Sequence, residues 1–258
     1  MRTHPTDPDL FLVEPSDLRR DPLPEPVRRH LEPVSRILQW ANDYLCRPHP
    51  ELGRAGAVCP FTRPALRKDL LLLAVCRGAE LTVDQVVDLV RRHRDWFLQM
   101  EPRELPLAQY KFIGIIFPDI SERAYLDLIE ATQARLKAEY VPLGLMIGEF
   151  HPGPPRQAGL WNPDFRPLRS PLPLLGTRHM VPTDWPFLRE EHAYVAAYLE
   201  RFTEELIPQR IVDDIRAAAN RFGLAMAAPP AAAPVPASQV YVGAVLADAG
   251  APQPSAVE

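Results

Sequence analysis

The sequence predicts an α+β (or α/β) fold: a sheet of four or more strands, with helices on at least one face, in a single main domain. Three observations predict it. Short apolar runs at 70–76, 110–117, 143–150 and 174–181 are bounded by charge, glycine or proline, as strands buried in a sheet are. Between them lie segments whose apolar residues recur at helical spacing. Strand and helix alternate over short distances, an order that layers helices on a sheet.

Taken along the chain, residues 1–22 are rich in Pro, Asp and Arg and read as an extended arm. From 26 to 46, Val27, Leu31, Val34, Ile37, Leu38, Ala41 and Tyr44 mark one side of a helix, which RPHP at 47–50 breaks. A loop at 49–64 then carries Cys59-Pro60-Phe61. After the first strand, Thr82 with Gln85 three residues on forms a capping box that opens a helix to about 100. His93 is expected on that helix's solvated side. The second strand stops at Pro118, and a helix over 122–140 shows a stripe of Tyr125, Leu128, Ile129, Thr132 and Leu136. The third strand leads into a proline-rich excursion, and the fourth returns from it. Thr183 or Asp184 is placed to cap a last helix pair, 186–206 and 209–222. The main domain therefore covers 23–222, and the Ala/Pro-rich stretch 223–258 reads as a disordered tail.

Net charge is −4, so no global field calls for nucleic acid or an anionic membrane. No apolar run reaches the roughly 18 residues of a membrane span, and the N-terminus has no leader-like apolar core. Three unpaired cysteines without a C-x-x-C spacing fit a cytoplasmic protein with reduced thiols. There is no G-x-G-x-x-G, P-loop or G-x-S-x-G, which argues against nucleotide-driven chemistry and serine hydrolysis.

The stretch 144–188 is the expected address of a site. It is long and without period, yet too rich in aromatic and apolar residues for disorder. Glu149 and His151 lie two apart at a strand end and so share a face. His179 on the returning strand makes a third ligand for mononuclear non-haem iron(II), if the strands bring it near. Alternatively a single histidine, His151 before His179, holds haem iron in a lining that includes Trp161 and Phe165. Arg166, Arg169 and Arg178 are candidates to grip a substrate carboxylate or a haem propionate, since a guanidinium meets a carboxylate with two parallel bonds. Asp184, like Glu149, is a candidate partner for an inward Arg178, and Arg178 with Asp184 forms the expected catalytic pair. Cys59 is weighed as a nucleophile and read as a structural thiol.

The run GLMIGEFH…GLWNPDFRPLRSPLPLL…RHMVPTDWPFL, with Gly56–Phe61 upstream, resembles a bacterial domain family of unknown function found near natural-product genes, over about 47–190. More remotely, Cys59-Pro60-Phe61, His151-Pro152, Phe165 to Arg169 and Arg178 resemble the YqcI/YcgG family, which includes haem-dependent enzymes that hydroxylate nitrogen. That resemblance implies an oxygenase-type oxidoreductase, an N-hydroxylating monooxygenase of specialised metabolism such as antibiotic biosynthesis, acting on an amino-acid-like molecule with a carboxylate. The alternatives are the non-haem iron enzyme and a cofactor-free accessory protein that binds a pathway partner. A homodimer is compatible with each.

Overall fold

In the computed structural model, residues 1–154, 162 and 164–225 are described. The chain divides into two compact units, Met1–Val181 and Pro182–Glu258.

The first unit opens with an antiparallel pair, β1 (Arg2–Thr3) and β2 (Phe11–Leu12). Helices α1 (Glu25–Arg29) and α2 (Leu31–Trp40) follow, and α2 continues into a wide π turn, Ala41–Leu45. The stretch expected as one helix over 26–46 is thus interrupted at His30, ahead of Pro33, and widened at its end. The loop beyond it holds a short helix, α3 (Thr62–Arg67). Then come β3 (Leu71–Val75), α4 (Val83–Gln99), β4 (Phe112–Ile116), a π turn at Tyr125–Glu130, α5 (Ala131–Tyr140), β5 (Leu145–Phe150) and β6 (Leu174–His179). The Thr82–Gln85 capping box is formed at the start of α4, each partner covering the other's free N–H.

The sheet order is β3-β4-β6-β5, with β3 and β4 parallel and β6 antiparallel to both neighbours. The fold class is therefore α+β. It follows that β3, β4 and β5 all run one way and that β6 is slipped between the last two. Their carboxyl ends (Val75, Ile116, Phe150) share one edge of the sheet, and their amino ends share the other.

Alternation divides the strands between two cores. Leu72, Ala74, Ile113, Ile115, Leu145, Ile147 and Leu175 are buried with Val86, Val90 and Phe97 of α4 and with Leu136 and Tyr140 of α5. Leu71, Leu73, Ile116 and Leu174 are buried with Val34 and Ile37 of α2 and Ala65 of α3. In the middle of the second face, Gly148, Gly176 and Gly114 stand side by side on adjacent strands. The rings of Phe112 and Phe150 fill the trough they leave; a Cβ on Gly176 would come within 2.6 Å of Phe112 and 3.0 Å of Phe150.

Residues 1–22 are extended at their start, but they are built into the core. Leu10, Leu12 and Val13 are buried, and Val13 bridges Leu73 of β3. The arm also explains a correction. His93, expected on a solvated side of α4, is only 2% exposed. Asp7 pairs with Arg92 and the His4 ring packs on Trp96 at 5.1 Å, so this side of α4 is covered by the arm. Burial pushes the His93 imidazole down to about 4.

In the second unit, a 3-10 turn at Pro182–Phe187 precedes α6 (His192–Arg201) and α7 (Gln209–Phe222). The helix expected from 186 starts only at His192. Pro182 and Pro186 sit in the turn, and neither supplies the backbone N–H that an α-helix would use there. Trp185 anchors the unit: its Nε1 donates to Asp214 at 2.6 Å, and its ring packs on Tyr198 at 5.1 Å. Tyr198 in turn donates its hydroxyl to Pro182 O at 2.8 Å. Among the described residues no helix is long and apolar enough to cross a membrane.

Candidate active site at the carboxyl edge

In open sheets with parallel strands, ligands bind beyond the carboxyl ends of the strands, where helix N-termini and connecting loops converge. Here that edge is built as follows. After β3 the chain turns through Cys76-Arg77-Gly78, and after β4 through Phe117–Asp119. Asp119 ties the two turns together, accepting from Arg77 Nη1 at 2.8 Å and from Gly78 N at 3.1 Å. Helix α2 lies across the edge on one side. Its first end stands at His30, which burial and then the Arg77 guanidinium hold below its ordinary value. Its last residue, Trp40, packs edge-on to Phe150 of β5 at 5.9 Å. Ten helical residues span about 15 Å, the width of about three strand intervals of 4.8 Å. On the other side lies the segment from Asp119 to Glu130. A shallow depression of about 420 Å³ opens there, between Leu81–Val83 at the start of α4 and Ser121–Leu128.

The chemistry concentrates at the end of β5. His151 is 1% exposed, and its Nε2 lies 2.9 Å from Glu130 Oε1. Its Nδ1 faces the N–H of Gly153 at 3.3 Å. A backbone N–H can only donate, so Nδ1 carries the lone pair and the imidazole proton sits on Nε2, directed at the carboxylate. Tyr125 lies against the imidazole with ring centroids 5.1 Å apart; its phenol is pushed up by burial and then by Glu122. Tyr125 and Glu130 are the first and last residues of the π turn. Such wide turns occur often at functional sites. The returning chain closes the far side: His151 bridges Arg169, Ser170 N donates to His151 O at 3.2 Å, and Trp40 Nε1 donates to Arg169 O at 3.1 Å.

Within the first unit the sequence-derived candidates separate into three places. His151 and Glu149 do share the end of β5, Glu149 standing opposite Leu175. His179 does not join them, which corrects the expected three-ligand iron site. The strands pair antiparallel as that site required, but His179 faces Leu145, and from 145 to 151 is about 20 Å of strand. A returning strand brings its beginning, Leu174, to the point where its partner ended, and carries its end away. His179 packs instead on Phe97 at 4.9 Å, at the amino edge. Arg178, beside it, turns its Nη1 back to His179 O at 3.0 Å.

Phe165 is buried in a separate cluster with Leu52 and Val58, against the His49 ring at 4.9 Å. Arg166 donates to the backbone carbonyls of Asp164 and Phe165. Arg169 alone of the three arginines stands in the chain segment paired with His151, and its side chain is exposed. Asp184 belongs to the second unit, where it is buried in the 3-10 turn. Trp161 lies outside the described residues.

With the turn at 152–153 as it stands, His151 offers a haem iron no free ring nitrogen. A ligating imidazole keeps one nitrogen for the metal and donates the other N–H to a carboxylate or carbonyl. Glu130 supplies that second partner, but the remaining nitrogen is turned onto the Gly153 N–H of its own turn. Among the described residues no group of three or more His, Cys, Asp and Glu gathers as a metal site. What the pair can do, once the Gly153 N–H moves off Nδ1, is exchange a proton there, with Glu130 holding the tautomer and stabilising the imidazolium.

Sequence reasoning placed His151 but missed Glu130 and Trp40. Glu130 follows Ile129 of the apolar stripe, and nothing local to it marks a partner. Its link to a residue 21 positions later exists only once the crossover returns to the sheet.

Residues 34–213 match the model of a family described as a domain of unknown function (DUF6875), and the chain belongs to that family. No curated protein and no solved structure matches it.

Proposed function

We propose that this DUF6875 member is an enzyme acting on a small molecule, with His151 as its general acid–base and Glu130 as the carboxylate that orients it. The single observation that carries this reading is the Nε2–Oε1 contact of 2.9 Å, buried at the carboxyl edge of three co-directional strands. A proton accepted at Nδ1 displaces the Gly153 N–H, so proton transfer is coupled to a shift of the turn at 152–153. The positive charge that forms lies against Glu130, where a carboxylate in a poorly hydrated site is worth more than in water. Tyr125 and Trp40 wall the site with aromatic surface on both sides of the sheet edge. Arg169 is the arginine placed to meet a substrate carboxylate, because its segment pairs with His151.

The purified protein should be incubated with a panel of amino acids and related carboxylates, with turnover followed by mass spectrometry. For a converted member, His151→Asn is expected to lower kcat on the order of 100-fold or more, the usual contribution of a positioned acid–base. Glu130→Gln should lower kcat by less, as loss of the orienting group and not of the acid–base itself. A Soret band or stoichiometric iron in the purified protein would overturn this reading in favour of haem or non-haem iron chemistry. A stoichiometric protein partner, with no member of the panel converted, would favour an accessory role.

A further inference from the structure

Cys46 and Cys59 are both free thiols, the first buried and the second half-buried, and neither takes part in the site above. Between them the chain makes a closed loop. Cys59 N donates to Leu45 O and Val58 N donates to Arg47 O, both at 2.9 Å, so the loop's two ends run side by side as a neck. Arg54 knits the interior, donating to the carbonyls of Ala55, Ala57 and Val58. Compact loops whose ends meet and whose own side chains pack them are frequently functional. This one grips the returning chain: Leu52 and Val58 pack on Phe165, and Asn162 Nδ2 donates to Glu51 O at 3.0 Å. The gripped segment runs on to Arg169 and Ser170, which pair with His151.

We propose that Cys46 and Cys59 are a thiol-oxidation site, in which low-molecular-weight disulfides such as glutathione disulfide convert the pair to an intrachain disulfide across the neck of this loop. Cys46 closes the π turn and follows directly on Leu45, whose carbonyl accepts from Cys59 N at 2.9 Å, so the two cysteine backbones are neighbours across a single hydrogen bond, close to the roughly 4.4–6.8 Å between α-carbons that a disulfide bridges. The two thiols also feel one another, since a charge on Cys59 raises Cys46 after burial has done so. Arg63, which donates to Cys46 O at 2.7 Å, and Arg67 oppose that rise without cancelling it, so burial leaves the Cys46 thiol raised and Cys46 is the second thiol to react.

The half-buried thiol reacts first. The Cys59 thiolate displaces one glutathione thiolate from glutathione disulfide and forms a mixed disulfide. The Cys46 thiolate then attacks the Cys59 sulfur and expels the second glutathione. Two protein thiols are oxidised, one glutathione disulfide is reduced to two glutathione thiols, and the two protons leave with them. The bridge fastens the neck, and with it the grip on the segment that backs His151.

The full chain, fully reduced and then incubated with glutathione disulfide, is expected to fall from three titratable thiols to one. Peptide mapping without reductant should join the Cys46 and Cys59 peptides and leave Cys76 free. In Cys46→Ser the reaction should stop at a persistent mixed disulfide on Cys59. A wild-type chain that keeps all three thiols overturns the proposal. So does one that retains glutathione on Cys59 with Cys46 intact, or one that consumes Cys76.

Discussion

The β5–β6 pair carries a histidine near each end, and the two sit in opposite surroundings. At the amino edge His179 packs on Phe97, and the neighbouring Lys111 is buried with its ammonium over the same ring at 4.4 Å. Lys111 Nζ donates to Phe97 O and Met100 O, the last carbonyls of α4, which is where a helix leaves its acceptors and the negative end of its dipole. Burial pushes the Lys111 amine down to about 8. At the carboxyl edge His151 meets a carboxylate, an aromatic ring and its own turn. One end fastens a helix to the sheet; the other sets an imidazole N–H against a carboxylate. The residue type alone does not separate these roles. The partner does: helix carbonyls fix a cation in place, whereas a carboxylate orients an imidazole and sets its tautomer.

The strongest way to break this comparison is at the amino edge. Lys111→Ala leaves two buried carbonyls without their donor and opens a cavity. It should cost about 3 kcal/mol in urea unfolding, and a loss under about 1 kcal/mol would deny Lys111 its anchoring role. His93 offers a second test of similar size. Its folded value of about 4 lies below the ordinary 6.5, so the unfolded chain binds the proton more readily. Its contribution is fully present above pH 6.5 and is lost as pH falls from there towards 4, a change of about 3 kcal/mol. In His93→Leu that part of the acid slope should vanish, which a pH series of urea titrations reads directly.

The glycine row lies midway between the two edges, and Gly176→Val should disturb both. The new side chain must displace the Phe112 and Phe150 rings, at about 2 kcal/mol. Fluorine labels on the two phenylalanines would report the displacement, and unchanged spectra would show the trough to be roomier than its contacts indicate. The smallest effects sharpen the contrast between the histidines. His179→Phe keeps an aromatic packed on Phe97 and should leave the His151 ring nitrogen resonances unchanged. Glu130→Gln should cost about 1 kcal/mol, yet shift the His151 ring nitrogen resonances in ¹⁵N NMR. Equal nitrogen shifts at His151 and His179 in that variant would erase the distinction.

Much of the fold was legible because period and boundary chemistry are local. The four apolar runs became β3 to β6, the Thr82–Gln85 box opened α4, and Gly223 at φ +68° ends α7. His151 was legible too, as a histidine following a strand. The π turns at Ala41–Leu45 and Tyr125–Glu130 were not, since their apolar spacing differs little from that of an ordinary helix. The burial of His93 was missed because Asp7 and His4, which cover it, come from an arm whose composition reads as solvated.

The four strands, the opening of α4, the α+β class and a histidine at the end of a strand are all written locally, because each follows from residues within one or two turns of each other. Which groups share a place follows from the tertiary structure. The antiparallel register sent His179 to the far edge, and the crossover through the π turn delivered Glu130 to His151. Pairing register and crossover path join residues distant along the chain, so no local pattern of side chains encodes them. The chemistry open to His151 rests on that delivery.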